Sequence, residues 1–335
     1  MDQINQTDQM DQINEIDQID QINQMNETNE TNQINQMDQI DQMDQIDQIP
    51  GSLIVVVSHR RSGTHWVIDA IRHNFPDVEY QFHNLDLISP GHQDHIPLDR
   101  FARTLSRPSK CSILKSHMTS RATSFDGEEK HFVEEVLRKN RVIYVYRDGR
   151  DVLVSLYHYM RVFRNDLPSF ADFIRMRNDF DPSSDSANRV ECWKSHVSGW
   201  LGRSDLEIAT VSYEALWSDY EGAVRALGDF LNLPLRPNGI KGIDLRKYGL
   251  ARRLLRRIYP RSARTSAILP RKGMVGEWKG HFSEEDLSLF DSVAGDLMAE
   301  LGYDHQSRGP HPESHAADAR HETKGTVPLL NRGLD

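Results

Sequence analysis

A strand, a loop and a helix follow one another in the stretch Leu53-Ile54-Val55-Val56-Val57-Ser58-His59-Arg60-Arg61-Ser62-Gly63-Thr64-His65-Trp66. Its first five residues form an unbroken aliphatic run, which is typical of a strand buried on both faces of a parallel sheet. An amphipathic helix is predicted over 64–74. Because ligands of open parallel sheets bind beyond the carboxyl ends of the strands, we expect the intervening loop to contact one.

The same strand-then-helix pattern recurs along the chain. Further short strands are predicted at 111–115, 142–147 and 206–212. Helices are predicted at 128–140, 151–163, 170–178, 187–201 and 213–231, with a last one that opens at a capping box of Ser283 and Asp286 and ends near Leu301. Apolar strands that each lead into a helix indicate a single α/β domain with a central parallel sheet flanked by helices.

The two ends of the chain differ from this core. Residues 1–50 repeat the pattern Asp/Asn-Gln-Ile/Met and hold nine Asp, three Glu and no basic residue, so the net charge of −10 is concentrated there. A period of three fits neither a helix nor a strand, and disorder is the prediction, with a self-associating or helical stalk as the alternative. The tail 306–335 is predicted to be flexible, which leaves 51–305 as the folded domain.

Composition excludes several classes of protein. Two cysteines cannot form the framework of a disulfide-stapled secreted scaffold, and the longest aliphatic run is too short to span a bilayer. The N-terminus lacks the basic-then-apolar pattern of a signal peptide. We therefore expect a soluble cytoplasmic protein, with no nucleic-acid partner.

Residues 58–66 combine groups that bind an oxyanion. The N-terminus of the predicted helix offers unpaired N–H groups and partial positive charge, Gly63 permits close approach, and two arginines and two hydroxyls surround the same point. The loop is not a Walker A motif, which needs Gly-x-x-x-x-Gly-Lys-Ser/Thr. A plain capped turn between strand and helix is the alternative.

Two more segments have similar chemistry. Arg147 ends a predicted strand and Ser155 lies about one turn into the next helix, so both can reach one phosphate. Residues 271–282 form a basic loop punctuated by glycines before the last helix. Taken singly, these are also compatible with a strand-end cation, a helix-surface serine and a solvated loop.

Together the segments resemble the cytosolic-type sulfotransferases, which use 3′-phosphoadenosine 5′-phosphosulfate (PAPS). The family's first motif, Lys-Ser-Gly-Thr-x-Trp, is matched from Arg61 to Trp66 with Arg for Lys, and its preceding Pro is Arg60. The family's third motif is Arg-Lys-Gly-x-x-Gly-Asp-Trp-Lys-x-x-Phe. Residues 271–282 match it, with Glu277 in place of Asp. The remaining matches are Arg147, Arg150-Asp151-Val152 and Ser155 for the second motif, Lys115-Ser116-His117 for the catalytic Lys-Thr-His, and Tyr213-Glu214 for a late Tyr-Glu.

The resemblance implies a P-loop-like domain and a role for each matched residue. His117 would be the general base, and Arg61 would stabilise the leaving oxygen. Trp66 and Tyr213 would flank the adenine. The donor would also be bound by Arg61, Ser62, Gly63 and Thr64 at its 5′-phosphosulfate, and by Arg147, Ser155, Arg271, Lys272 and Gly273 at its 3′-phosphate. His65 is a further predicted donor-binding residue. No metal is required, because cationic side chains neutralise the donor.

The sequence says less about the acceptor and about partners other than PAPS. The acceptor bears a hydroxyl or an amine. Residues 246–272 hold ten basic residues and no acid, so this segment either touches anionic lipid as a peripheral membrane contact or is a solvated cationic face. The family's dimer motif would begin at Lys279, but Ser283-Glu284 replaces Thr-Val and Ser288 replaces Glu, so a monomer or a different dimer is expected.

Two other function classes stay open at this stage. A P-loop kinase-like phosphotransferase would need the missing Gly-Lys-Ser/Thr and a Mg²⁺ ion. A non-catalytic protein that binds adenosine 3′,5′-bisphosphate would not need His117.

Overall fold

A computed structural model of the chain describes residues 53–105, 110–177, 186–243 and 273–303. Its strands are β1 (Leu53–Ser58), β2 (Val78–Asn84), β3 (Cys111–Ser116), β4 (Arg141–Tyr146) and β5 (Ile208–Ser212). They form one sheet in the order β2-β3-β1-β4-β5, with every neighbouring pair parallel. The predicted α/β domain with a central parallel sheet is confirmed.

The α-helices of the described ranges connect these strands. They are α1 (Thr64–Asn74), α2 (Leu98–Leu105), α3 (Gly127–Lys139), α4 (Gly149–Met160), α5 (Phe170–Arg175), α6 (Arg189–Leu201), α7 (Tyr213–Ser218), α8 (Tyr220–Leu231) and α9 (Glu284–Glu300). Two 3₁₀ turns, Leu85–Ile88 and Glu277–Gly280, complete the described elements. No helix in these ranges combines the length and the apolar character needed to cross a membrane.

The central strand explains why the opening stretch decides the fold. Val55, Val56 and Val57 of β1 have no solvent exposure, because β3 and β4 flank the strand and helices cover the sheet. One face of β1 packs in a cluster with α1 and α8, which includes Ile71 and Leu227. Burial of each such aliphatic side chain contributes about 1.5–3 kcal/mol, so the run specifies both the strand and its central place.

The structure corrects some predicted elements. The helix predicted at 213–231 is two helices, because Asp219 leaves the helical conformation and its side chain caps α8 by accepting a hydrogen bond from Gly222 N. The helix predicted at 151–163 begins at Gly149 and ends at Met160, and that predicted at 170–178 ends at Arg175. Strand β2 and helix α2 were not predicted, since β2 is a half-exposed edge strand without an apolar run.

The capping box before the last helix is confirmed. Ser283 Oγ accepts from Asp286 N at 3.1 Å, and Asp286 Oδ2 accepts from Ser283 N at 3.1 Å. In this chain Ser283, which stands where the family's dimer motif has Thr, therefore begins α9. The head 1–50, the basic segment 246–272 and the tail 306–335 lie outside the described residues, so the predictions made for them stay predictions.

Candidate active site

A cavity of about 370 Å³ opens where the strands reach their carboxyl ends. Its lining comes from residues that end or follow all five strands, as expected for a ligand site of an open parallel sheet. The volume is in the range of small-molecule sites. Of the predicted site residues, it is lined by Arg61, Gly63, Thr64, His65, Trp66, His117, Arg147, Ser155, Tyr213 and Gly273.

Three predicted residues are not in that lining. Ser62 belongs to the same loop but is fully buried beneath it. Arg271 and Lys272 lie outside the described residues, immediately before Gly273, which does line the cavity.

The loop between β1 and α1 turns through two left-handed residues. Arg61 has φ 73° and Gly63 has φ 104°. A Cβ at position 63 would lie 2.7 Å from Cδ2 of Tyr213, so both the backbone and the packing require glycine there. Arg61 is directed toward α4, where its Nε donates to Ser155 Oγ at 3.2 Å and its guanidinium lies 5.0 Å from the ring centre of Tyr159.

Several polar atoms around the loop lack protein partners. Among the described residues, Ser62 Oγ, Trp66 Nε1 and Arg147 Nε are buried without a hydrogen bond. Buried polar atoms are nearly always paired, so such atoms beside a cavity indicate groups that bind a ligand. The His65 ring is open to the cavity, where desolvation and then the charges of Lys115 and Arg61 lower its pKa to about 4.

His117 lies at the end of β3 in a defined tautomer. Its Nδ1 is 2.9 Å from the carbonyl oxygen of Ser58. Because a carbonyl only accepts, Nδ1 carries the proton and Nε2 is left as the acceptor nitrogen. Burial, and then the charges of Lys115 and Arg60, keep the pKa of His117 well below its usual value, so the ring is neutral at physiological pH.

One buried carboxylate that the sequence did not indicate organises the end of β3. Asp86 Oδ1 accepts from Ser116 Oγ at 2.5 Å and from His117 N at 2.9 Å, and Asp86 Oδ2 lies 3.3 Å from Lys115 Nζ. Although burial raises the pKa of Asp86, the charge of Lys115 and these hydrogen bonds bring it below its usual value. Asp86 follows the unpredicted strand β2, and recognising that strand would have placed it at this edge.

Arg147 and Asp151 join two of the sequence motifs. Arg147 Nη2 donates to Met274 O at 2.6 Å and lies 3.2 Å from Asp151 Oδ2, with its guanidinium 4.2 Å from the ring centre of Tyr213. Asp151 also accepts from Gly276 N at 2.8 Å and Trp278 N at 2.9 Å. The carboxylate thus holds the loop after Gly273 against the start of α4.

A second carboxylate, that of Glu214, contacts the start of the same helix, α4. Glu214 accepts from Asp148 N at 3.2 Å and from Tyr303 Oη at 2.7 Å. Burial raises its pKa to about 7. Its position after Tyr213 was recognised in the sequence, but the contacts to the start of α4 and to Tyr303 come from the tertiary structure.

One group in the described part of the chain gathers three side chains of metal-ligating type. Donor atoms of His158, Glu277 and His281 lie within 4.8 Å of one another. His281 Nε2 is 3.8 Å from Glu277 Oε1, and Glu277 also lines the cavity. None of the three was predicted to bind a metal.

Comparison with known proteins gives consistent matches. A family profile described as "Sulfotransferase domain" matches residues 52–302. Sulfotransferase 2B1 of Mus musculus is 25% identical over 264 residues, which cover 73% of this chain and 71% of that protein. Amine sulfotransferase of Oryctolagus cuniculus is 26% identical over 176 residues, or 49% and 56% of the two chains.

The fold is also found among solved structures. Retinol dehydratase in a complex with retinol and PAP aligns with a TM-score of 0.50 at 20% identity. The alignment covers 77% of this chain and 83% of that one, and shows that the two share a fold.

Proposed function

Since the chain belongs to the sulfotransferase domain family, we propose that it transfers the sulfuryl group of PAPS to an acceptor hydroxyl or amine and releases adenosine 3′,5′-bisphosphate (PAP). The observation that carries the proposal is one cavity lined by the oxyanion-binding loop, the neutral base His117 and the cationic Arg147. Those three elements are what transfer from a polyanionic donor requires.

The described residues fit the donor chemically. The N–H groups at the start of α1 and the hydroxyl of Thr64, which lines the cavity, suit the 5′-phosphosulfate. Arg147 and Ser155 suit the 3′-phosphate, since a guanidinium can pair with two phosphate oxygens at once. Trp66 and Tyr213, edge to face with ring centres 4.9 Å apart, suit the adenine. Arg271 and Lys272 are proposed to complete the 3′-phosphate site.

Catalysis is assigned to two side chains. His117 Nε2 takes the proton of the acceptor hydroxyl, and the neutral ring supported by its lowered pKa is the form that can do so. Arg61 stabilises the negative charge that develops on the leaving oxygen. Because a guanidinium does not release its proton near neutral pH, Arg61 acts by charge and not as an acid. The proposed roles need no metal.

The other function classes are less well supported. A kinase would need the phosphate-cradling Gly-x-x-x-x-Gly-Lys-Ser/Thr loop, which this chain lacks. A non-catalytic PAP-binding protein would not require a neutral histidine at the cavity. We also propose a cytoplasmic location, with 51–305 as the catalytic domain.

Ligand-dependent melting and transfer of labelled sulfate test the proposal. PAP and PAPS should raise the melting temperature, because both bind only the native state, and ATP should do so much less, because it has no 3′-phosphate for Arg147 and Ser155. Incubation with sulfur-labelled PAPS and an extract of the source cells should label an acceptor. Equal stabilisation by ATP would contradict the proposal.

His117→Ala separates binding from transfer. We expect the rate to fall by about 10²–10⁴, the usual contribution of a general base, while PAP still binds within a few-fold. His131→Ala, which removes an exposed histidine of α3, is the matched control. Turnover near the wild-type rate in His117→Ala would show that the base is another residue.

A further inference from the structure

Three side chains of metal-ligating type meet where α4 lies against the turn Glu277–Gly280. His158 is in the last turn of α4, Glu277 begins the 3₁₀ turn, and His281 follows it. One donor atom of each side chain lies within 4.8 Å of the other two. Two imidazoles and one carboxylate are a ligand set that zinc sites use, with a fourth position left for water.

The spacing of the donor atoms is close to that around a bound zinc ion. Ligand atoms about 2.0–2.1 Å from a tetrahedral zinc lie about 3.4 Å from one another. His281 Nε2 is 3.8 Å from Glu277 Oε1. The rings of His158 and His281 are edge to face, with centres 5.0 Å apart and planes at 78°. Small side-chain rotations therefore bring the three donor atoms to one ion.

The backbone that carries Glu277 and His281 is fixed against α4. Asp151, about two turns before His158 on the same helix, accepts from Trp278 N at 2.9 Å. Within the turn, His281 N donates to Trp278 O at 2.9 Å, and the Trp278 side chain is buried. The ligands thus belong to two elements that the fold already holds together, so zinc binding does not have to order them.

The surroundings of the three ligands also suit an ion. Side-chain exposure is 12% for Glu277 and 28% for His281, so an ion can enter from solvent. The ring of Phe170 lies 6.0 Å from that of His281, and the ring of Tyr157 lies 5.7 Å from that of His158. Such an aromatic wall limits the access of water that competes for the ligands. Zinc replaces the contacts that its ligands make in its absence, so the contact between Glu277 and His281 does not oppose binding.

We propose that His158, Glu277 and His281 bind one Zn²⁺ ion, with water in the fourth position. The ion takes no part in the proposed sulfuryl transfer, whose roles need no metal. It connects α4 to the loop that includes Gly273 and Glu277, which both line the cavity. Imidazole nitrogen favours Zn²⁺ over Mg²⁺, which prefers oxygen ligands. The inference goes beyond the proposed function and does not depend on it, because none of the three ligands binds the donor or acts as the base.

Calorimetric titration of the full-length, chelator-treated protein with zinc chloride tests the site. We expect about one ion to bind per chain at micromolar concentration, and Mg²⁺ not to bind in that range. His158→Ala, Glu277→Gln and His281→Ala should each weaken zinc binding by about tenfold or more. His131→Ala, which removes an exposed histidine of α3, is the matched control and should bind zinc as the wild type does.

Cobalt gives a second measurement, because four-coordinate Co²⁺ absorbs visible light much more strongly than six-coordinate Co²⁺. The strong band should appear in the wild type and in His131→Ala and be absent from His281→Ala. Glu277→Gln keeps the size of the side chain, so it tests the site even where a histidine variant fails to fold, which melting in chelator reveals.

Two results would overturn the inference. One is a wild type that binds no zinc or shows no strong cobalt band. The other is unchanged zinc affinity in Glu277→Gln and His158→Ala, because the ion would then be bound by others of the 15 histidines. The titration contains no PAPS, so a failure of sulfuryl transfer would refute the proposed function and leave the zinc result standing.

Discussion

Replacing Asp86 by asparagine is the sharpest test of how the base is held. The carboxylate bonds Ser116 Oγ and His117 N and neutralises Lys115, which is 7% exposed. Asparagine keeps the size of the side chain but removes its charge. Its NH2 group is a donor and replaces one of the two oxygens that accept from Lys115, Ser116 and His117. Lys115 then keeps its bond to the neutral Asn84 Oδ1 at 3.3 Å but loses the negative charge of the Asp86 carboxylate.

We expect a loss of stability because Lys115 stays buried without the carboxylate that neutralised its charge. Removing one partner of a buried ion pair costs about 3–5 kcal/mol, a large part of the stability of a typical domain. Because a single amide oxygen has to replace two carboxylate oxygens for His117 N, Ser116 Oγ and Lys115 Nζ, the end of β3 is held less firmly and we expect turnover to fall by about 10²-fold. PAP affinity should change little, since Asp86 contacts Lys115, Ser116 and His117 at the end of β3, away from the proposed 3′-phosphate site.

Urea unfolding and turnover with PAPS give the two measurements. Asp86→Asn combined with Lys115→Met removes the buried pair as a whole, and we expect its stability to return to within about 1–2 kcal/mol of the wild type while turnover stays low. Asp99→Asn is the matched control, because Asp99 pairs with Arg103 on the surface, where an ion pair is worth about 0–1 kcal/mol. The reasoning fails if Asp86→Asn is as stable as Asp99→Asn, or if PAP affinity falls together with turnover.

Two further predictions concern the loop between β1 and α1 and the buried carboxylate of Glu214. Gly63→Ala should lower the free energy of unfolding by about 1–3 kcal/mol, because the backbone at this position is left-handed. It should also weaken PAP binding in calorimetry, because the new Cβ displaces Tyr213. Unchanged PAP affinity would contradict the packing argument. Burial raises the pKa of Glu214 from 4.5 to about 7, so between these pH values the native state holds a proton that the unfolded state has released. The free energy of unfolding therefore falls by about 3 kcal/mol as the pH rises through this range. Glu214→Gln should remove that part of the pH dependence in urea unfolding at pH 5 and pH 8, and an unaltered profile would show that Glu214 titrates normally.

Local sequence determined much of this protein. The aliphatic run of β1 predicted a central buried strand, because only a strand flanked on both sides can bury every side chain. The bounds of α1 and the capping box of α9 followed from residues a few positions apart, whose interactions do not depend on the rest of the chain. The position of the loop between β1 and α1 was predictable for the same reason, since the loop joins those local elements.

The tertiary structure decided what surrounds that loop. Asp86 reaches His117 from 31 positions earlier in the chain, across an edge strand with no apolar run, and no local pattern contains that pairing. The break at Asp219 depends on a single residue's conformation and side-chain cap, which helical periodicity alone does not reveal. Arg61 has a left-handed backbone and donates to Ser155, 94 positions later in the chain, a contact that no local pattern contains. Charge and chemistry are carried by residue types, but the direction in which they act is set by backbone conformation and by contacts between distant segments.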